Sequence, residues 1–208
     1  MSRNFVPAAG HDLFLPLYDP LWRLMGGHGV RDTFIRDAGL ASGHRVLDIG
    51  CGTGSLAVQI AESVPGVQVT ALDPDSKALG RGSAKAQRAG VEVRWNEGFA
   101  DALPYDADAF DRVLSSFMFH HLDADVKRGT LREARRVLGS EGELHLIDFG
   151  GHGHRKDGPI ARLLHRHLQD QQGGQVADLM TEAGFAEVRE VAHKASIFGR
   201  FTHYRAAG

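Results

Sequence analysis

Three glycines at alternate positions stand directly after a short apolar run. Gly50, Gly52 and Gly54 follow residues 46–49, and a helical pattern of apolar residues begins at Ser55. Because glycine adopts positive φ without a steric cost, backbone N–H groups can approach a ligand closely at such a turn, where the helix start adds positive potential. The pattern predicts a ligand-binding turn, although glycines that serve only a tight turn would look the same.

Around this turn, short apolar runs alternate with amphipathic segments. We expect strands at 46–49, 67–72, 91–95, 110–115 and 143–148, and helices at 55–63, 75–89 and 124–138. This alternation predicts a parallel sheet with helices on both faces. Further helices are expected near 160–168 and 176–183, followed by strands at 186–191 and 196–204 that can pair antiparallel.

Two kinds of cofactor site compete for the glycine turn. A dinucleotide site carries a third glycine at the sixth position, and counting from Gly50 that position is Ser55. Asp48, two residues before the first glycine, would repel a pyrophosphate. It suits a ligand with a cationic amino-acid end and no phosphate, and S-adenosylmethionine is such a ligand.

The segment Val46–Gly54 resembles the first motif of the class I S-adenosylmethionine-dependent methyltransferases. The resemblance implies that the loop backbone holds the methionine part of S-adenosylmethionine, with Asp48 nearby, through Gly50, Cys51, Gly52, Thr53 and Gly54. Asp73 ends the second strand and can accept hydrogen bonds from both ribose hydroxyls. The resemblance implies the same ribose-binding role for Asp73 and extends to Pro74. Asp75 is better placed to cap the next helix.

Two later segments resemble other parts of the family's cofactor site. Residues 98–105 resemble the adenine-contacting segment, but Phe99 stands where an acid is common. Either Phe99 packs on the adenine, or Asp101 or a backbone carbonyl accepts from its amino group, with Ala100 beside them. Ser115, after the fourth strand, is expected near the methionine end, because ligands of open α/β sheets bind at the carboxyl ends of strands.

Methyl transfer depends mainly on alignment and exclusion of water, so a general base is needed only where the acceptor must lose a proton. His120 is the base candidate after the fourth strand. For its neighbour His121, a hydrogen bond that orders the loop is at least as good an explanation as a catalytic role. His152 and Tyr18 are further base candidates. The acceptor is expected to be a small molecule, methylated on oxygen, nitrogen or carbon.

Several sequence features bear on metals and on the acceptor. Four histidines invite a metal interpretation, but an i, i+2 pair on a helix points apart and the one cysteine lies in the glycine turn, so no metal is expected; they are His152, His154, His165 and His167. Arg155 and Lys156 favour an anionic or polar acceptor. Tyr18–Asp19 resembles the cap of the ubiquinone/menaquinone-biosynthesis methyltransferases, but residues 116–121 lack their Gly-Leu-Arg-Asn type sequence.

We therefore expect an α/β fold with a Rossmann-like, doubly wound, seven-stranded sheet, mostly parallel, with an antiparallel C-terminal strand pair and an N-terminal helical cap. One domain of 208 residues would comprise the cap (1–40), the cofactor-binding core (41–150), a substrate cover (151–172) and the last helix with the strand pair (173–208). A catalytically silent S-adenosylmethionine-binding protein and an NAD-dependent oxidoreductase stay open as alternatives.

Composition limits which classes of partner and which cellular compartment we expect for this chain. A net charge of -2 argues against a general phosphate-binding surface, so no nucleic-acid partner is expected. No apolar run has signal-peptide or membrane-spanning length, which predicts a cytoplasmic protein without stable membrane insertion. One cysteine excludes an intrachain disulfide. The oligomeric state stays open.

Overall fold

A computed structural model of the chain describes residues 27–149, 173–196 and 199–208. Its helices are α1 (Gly27–Asp37), α2 (Ser55–Ser63), α3 (Ser76–Ala89), α4 (Ala124–Val137) and α5 (Gly173–Glu182). Its strands are β1 (Arg45–Ile49), β2 (Gln68–Asp73), β3 (Arg94–Glu97), β4 (Phe110–Ser116), β5 (Leu138–Phe149), β6 (Glu187–Ser196) and β7 (Gly199–Ala207). A 3-10 turn, Phe119–His121, follows β4. The expected cap is described only from α1 onward, and the expected cover, 151–172, lies outside the described residues.

The strands of this description form one sheet in the order β3-β2-β1-β4-β5-β7-β6. The first five pair in parallel, and β7 lies antiparallel between β5 and β6. The chain winds outward from β1 to β3 and then crosses to β4, which makes the carboxyl edge between β1 and β4 the topological switch point where such sheets bind ligands. The expected fold class is confirmed.

Side chains alternate between the two faces of the sheet, and both faces are covered. Leu47 and Ile49 of β1 join Val113 of β4 in a core that includes α4 and α5, which we call the α4 face. Val46 and Leu114 lie on the opposite side and pack with α1 and α2, which we call the α2 face. Burying each of these aliphatic side chains contributes about 1.5–3 kcal/mol. The sheet is thereby a fixed platform for the loops at its carboxyl edge.

The strand β3 begins at Arg94 and not at Val91 as the apolar pattern indicates. Gly90 ends α3 in the left-handed region with a φ of 69°, and the amide of Val91 still donates to the carbonyl oxygen of Ala86 at 3.1 Å. The residues that follow Gly90 therefore complete the helix end before the chain reaches β2. Pairing with β2 starts at Arg94, opposite Thr70.

The strands β5, β6 and β7 also differ from the expected bounds. Leu138 follows α4 directly and pairs with Phe110, after which the register shifts and Glu143 pairs with Arg112. The expected start near Glu143 marks only the regular part of β5. β6 and β7 extend over Glu187–Ser196 and Gly199–Ala207, so the antiparallel pair is longer than the apolar runs indicate.

A row of four polar side chains crosses the α2 face. His145 of β5 and His203 of β7 are buried, with Nδ1 and Nε2 3.1 Å apart. His145 Nε2 lies 3.2 Å from Glu143 Oε2, and His203 Nδ1 lies 3.5 Å from Asp37 Oδ2 on α1. Two neutral imidazoles carry two N–H protons for these three contacts. One of the three contacts is therefore left without a proton.

Acid should weaken the fold through this histidine pair. Burial, with a contribution from His203, lowers the pKa of His145 to about 3, and burial also lowers the pKa of His203. Histidines of the unfolded chain titrate near 6.5, so the unfolded state binds more protons than the folded state below that pH. The stabilisation is present above about pH 6.5 and is lost as the pH falls toward 3.

Thermal unfolding between about pH 7.5 and about pH 5 measures this effect. The melting temperature of the unaltered protein should fall by at least about 2 °C more than that of His145→Gln over this range. The His44→Gln variant, which changes a partly exposed histidine outside the row, should follow the unaltered protein. Parallel curves for all three proteins would show that the pair is not responsible.

Candidate cofactor and active site

The glycine loop, Gly50–Gly54, connects the carboxyl end of β1 to α2. Its three glycines have positive φ values of 69°, 52° and 68°. The amides of Gly50 and Cys51 both donate to the carbonyl oxygen of Leu72 at the end of β2, at 2.8 and 3.1 Å. A Cβ on Gly50 would collide with the side chain of Met118, which lies against the loop. The glycines are therefore required both for backbone conformation and for close approach.

Asp73, the last residue of β2, is buried and holds the loop through its carboxylate. Its Oδ2 accepts the amide of Gly52 at 2.8 Å, and its Oδ1 accepts the amide of Asp75 at 2.9 Å. Asp75 caps α3 by accepting backbone amides of the first turn, as the sequence indicates. Pro74 is half-buried between the two aspartates. Each oxygen of a carboxylate can accept more than one hydrogen bond, so Asp73 keeps capacity for ligand hydroxyls.

Asp48 is completely buried in β1, near the start of α2. Neither of its carboxylate oxygens has a hydrogen-bond partner within the described parts of the chain; the amide of Ala57 faces it without reaching hydrogen-bond geometry. Burial, assisted by the negative charge of Asp73, raises the pKa of Asp48 to about 7. Burial also raises the pKa of Asp73. Two buried carboxylates side by side favour a cationic ligand and disfavour phosphate.

The loop after β3 is tied to the same edge of the sheet. The amide of Gly98 donates to the carbonyl oxygen of Asp73 at 3.2 Å. The residues expected to contact adenine are all half-buried in this loop: Phe99, Ala100 and Asp101. Asp101 lies against α4, since a Cβ on Gly129 would come within 2.9 Å of the Asp101 Cβ. The loop after β3 and the glycine loop are therefore both hydrogen-bonded to Asp73.

The residues after β4 place an imidazole beside a carboxylate. His120 Nδ1 lies 2.6 Å from Asp148 Oδ1, and the amide of His120 donates to Asp148 Oδ2 at 2.7 Å. The two side chains are only 7% and 3% exposed. A carboxylate that accepts from Nδ1–H selects the tautomer in which Nε2 carries no proton, as a general base requires. The His121 ring lies 3.9 Å from the His120 ring, centroid to centroid.

Sequence reasoning missed two residues of this region, Asp148 and Met118. Asp148 lies within the expected fifth strand, and an acid near the carboxyl end of an otherwise apolar strand is a usable signal. Met118 carries no such signal, because its contact with Gly50 depends on how β4 and β1 neighbour each other. Ser115 is buried at the end of β4, and its hydroxyl has no hydrogen-bond partner among the residues that the structure describes.

Two of the three base candidates, Tyr18 and His152, lie outside the described residues, and so do the histidines considered as metal ligands in 150–172. Within the described ranges, no group of three or more His, Cys, Asp or Glu side chains is arranged to hold a metal ion. In the same ranges, no helix combines the length and the apolar character needed to cross a bilayer.

Comparison with known proteins identifies the family. A family model described as a methyltransferase domain matches residues 46–142. A demethylmenaquinone methyltransferase of Deinococcus radiodurans is 31% identical over 202 residues, which cover 92% of this chain and 83% of that protein. The chain belongs to the class I S-adenosylmethionine-dependent methyltransferases. It is related to the ubiquinone/menaquinone-biosynthesis group, and its cofactor is S-adenosylmethionine.

Two further comparisons agree with this family. The 27-O-demethylrifamycin SV methyltransferase of Amycolatopsis mediterranei is 36% identical over 157 residues, covering 67% of this chain and 57% of that protein. The crystal structure of YcgJ from Bacillus subtilis superposes with a TM-score of 0.68 at 27% identity, covering 80% of this chain and 72% of that one. The resemblance inferred from Val46–Gly54 is thus confirmed at the level of family, fold and cofactor.

The residues at the switch point fit S-adenosylmethionine. The buried carboxylate of Asp48, which has no hydrogen-bond partner among the described residues, suits a ligand with cationic groups, and the loop beside it has glycine at its three positions of positive φ. Asp73 keeps acceptor capacity beside the loop. No group at this edge of the described structure requires a pyrophosphate.

Cofactor binding should release a proton below neutral pH. The pKa of Asp48 near 7 means that its carboxyl is protonated in the free methyltransferase at lower pH, whereas a cationic ligand favours the ionised form. Affinity for S-adenosylmethionine should therefore weaken as the pH falls below about 7, by up to about tenfold per pH unit.

Calorimetry in two buffers with different heats of ionisation counts the released protons. We expect about one proton near pH 6 and almost none near pH 8. In Asp48→Asn the release should disappear, and overall affinity should be lower. Equal proton release by the unaltered protein and by Asp48→Asn would contradict the assignment of the linkage to Asp48.

Proposed function

We propose that the methyltransferase modifies a small-molecule acceptor whose nucleophilic oxygen must lose a proton, and that His120 removes this proton. The observation that carries the proposal is the hydrogen-bonded pair of His120 and Asp148. The pair lies at the carboxyl edge of β4 and β5, and Met118, two residues earlier, contacts Gly50 of the cofactor loop. A base at this place is next to the region where the methyl donor binds.

We propose the cofactor residues from their places at the carboxyl edge of the sheet and from the family resemblance. We assign the methionine part to the loop and its surroundings, the ribose to Asp73, and the adenine to the segment after β3. The set is Asp48, Gly50, Cys51, Gly52, Thr53, Gly54, Asp73, Pro74, Phe99, Ala100, Asp101 and Ser115. The half-buried positions of Phe99 and Asp101 support both as adenine contacts. Tyr18 and His152 stay candidates for the acceptor side.

The chemistry of the acceptor side rests on this chain's own groups. When bound, S-adenosylmethionine supplies an activated methyl group for in-line displacement. A hydroxyl attacks well only as it loses its proton, and a positioned base contributes about 10²–10⁴-fold to such a step. His120 Nε2 takes the proton that the acceptor hydroxyl loses. Asp148 then stabilises the imidazolium through Nδ1–H and keeps the ring oriented.

The names of the relatives support an organic acceptor of modest size. One acts on demethylmenaquinone and another is named for an O-linked methyl position of rifamycin SV. The net charge of -2 gives no sign of a nucleic-acid substrate. We therefore propose a phenolic or enolic hydroxyl as the acceptor group, with nitrogen and carbon acceptors as the alternatives that an acceptor panel distinguishes.

Transfer of a labelled methyl group to phenols of graded acidity tests the base. In His120→Gln, kcat/KM should fall by about 10²–10⁴-fold for a phenol with a pKa near 10, and much less for a phenol with a pKa near 7, which ionises without help. The kcat/KM of Asp148→Asn should lie between those of the unaltered protein and of His120→Gln. The Kd of S-adenosylhomocysteine should stay within about threefold, because neither residue holds the cofactor.

The His44→Gln variant should keep the activity of the unaltered protein and serves as the control. A loss that is equal for every phenol would show that His120 does not act as a base. Tight binding of S-adenosylhomocysteine without transfer to any phenol, amine or carbon acid would favour the catalytically silent binding protein instead.

A further inference from the structure

A lysine outside the cofactor motif holds the outer side of the glycine loop. Lys85 lies in the second half of α3, and its Nζ donates to the carbonyl oxygen of Thr53 at 3.0 Å. The same ammonium group lies 2.5 Å from Ser55 Oγ and 3.4 Å from Thr53 Oγ1. These contacts join α3 to the point where the loop enters α2. Hydrogen bonds from a charged donor are about twice as strong as those between neutral groups.

Lys85 fixes one end of a peptide plane whose other end is already bound. In a trans peptide, the carbonyl oxygen of Thr53 and the amide of Gly54 point in opposite directions. The Gly54 amide donates to the carbonyl oxygen of Cys51 at 2.8 Å, while the Thr53 oxygen accepts from Lys85. Loss of the lysine contact would let this plane rotate, because glycine at position 54 resists rotation only weakly.

An indole ring fills the space between the loop and α3. A Cβ on Gly82 would lie 2.6 Å from the ring of Trp95, and a Cβ on Gly54 would collide with the same ring. Gly82 precedes Lys85 by three residues, so both lie on the face of α3 that meets the loop. Trp95 itself comes from β3, next to β2. The glycine loop is therefore held on its outer side by Lys85 of α3 and Trp95 of β3, and on its inner side by the carboxylate of Asp73.

The helix that follows the loop has no side-chain cap of its own. Gly54 occupies the N-cap of α2 with a φ of 68°, and no side chain there accepts a hydrogen bond from the first turn. Side-chain caps commonly contribute about 1 kcal/mol and fix the entry angle of the chain. The orientation at this entry must come from other contacts, and those of Lys85 with Thr53 and Ser55 supply it.

We propose that Lys85, with Trp95 behind it, is a positioning residue that holds the glycine loop in its cofactor-binding conformation and so sets cofactor affinity. The proposal rests on the proposed cofactor site but not on the proposed acceptor. Burial raises the pKa of the Cys51 thiol, and the positive charge of Lys85 acts in the opposite direction. The charge of Lys85 therefore acts on the glycine loop.

Titration calorimetry with S-adenosylhomocysteine on the full chain tests the proposal. Lys85→Met keeps the aliphatic stem and removes the charge and the donor, so the Kd should rise about tenfold or more. Lys85→Arg, which restores a charged donor, should recover most of the affinity. Lys77→Met, on an exposed residue of the same helix, is the matched control and should bind as the unaltered protein does.

Steady-state kinetics separate positioning from a general loss of structure. For Lys85→Met, the KM of S-adenosylmethionine should rise with the Kd, whereas kcat at saturating cofactor and the KM of the acceptor should change less than about twofold. An unchanged Kd in Lys85→Met would overturn the proposal. So would a Lys85→Arg variant that binds no better than Lys85→Met while both melt at the same temperature.

Ser55→Ala covers the case in which Lys85→Met does not fold. It removes one contact of Lys85 and no charge, and it should raise the Kd of S-adenosylhomocysteine about two- to fivefold, whereas an unchanged Kd would overturn the proposal. The calorimetric readout needs no acceptor. Failure to find an acceptor would therefore bear on the proposed function alone, and an unchanged Kd would bear on Lys85 alone.

Discussion

The cofactor edge of this methyltransferase depends on the carboxylate of Asp73, which accepts the amides of Gly52 and Asp75. Through these two hydrogen bonds one side chain joins the end of β2 to the glycine loop and to the start of α3. A buried carboxylate is costly unless donors compensate it, and the two amides do so for Asp73. They leave Asp48 uncompensated, which its raised pKa reflects. The loop is thereby tied to β2 and α3, and beside it lies a buried carboxylate that has no hydrogen-bond partner among the described residues.

The features that could be predicted from the sequence are those encoded by adjacent residues. The run from Val46 to Gly54 contains a buried strand, an acid and a glycine turn in continuous order, so its ligand chemistry follows from local pattern. Asp73 is recognisable for the same reason, as an acid at the end of an apolar strand. The mostly parallel sheet with helices on both faces follows from the alternation of strands and helices.

The residues that could not be predicted depend on contacts between distant segments. His120 meets Asp148 only because β4 and β5 pair in parallel with Ser116 opposite Ile147. Lys85 meets the glycine loop only because of the rotation of α3 about its own axis. The predicted start of β3 was wrong for a related reason. Near Val91 the apolar pattern favours a strand, but the left-handed turn at Gly90 and the hydrogen bond of the Val91 amide still belong to the end of α3.

The antiparallel C-terminal strand contributes to the acceptor side as well as to the core. β7 lies between β5 and β6, and its Thr202 is the partner of Asp148 in the sheet. Pairing with β7 fixes the backbone of β5 at Asp148, whose carboxylate is buried and binds both the ring and the amide of His120. A buried pair is screened by salt much less than an exposed one. The last strand therefore helps to fix the residue that orients the proposed base, although that strand contributes no group to the chemistry.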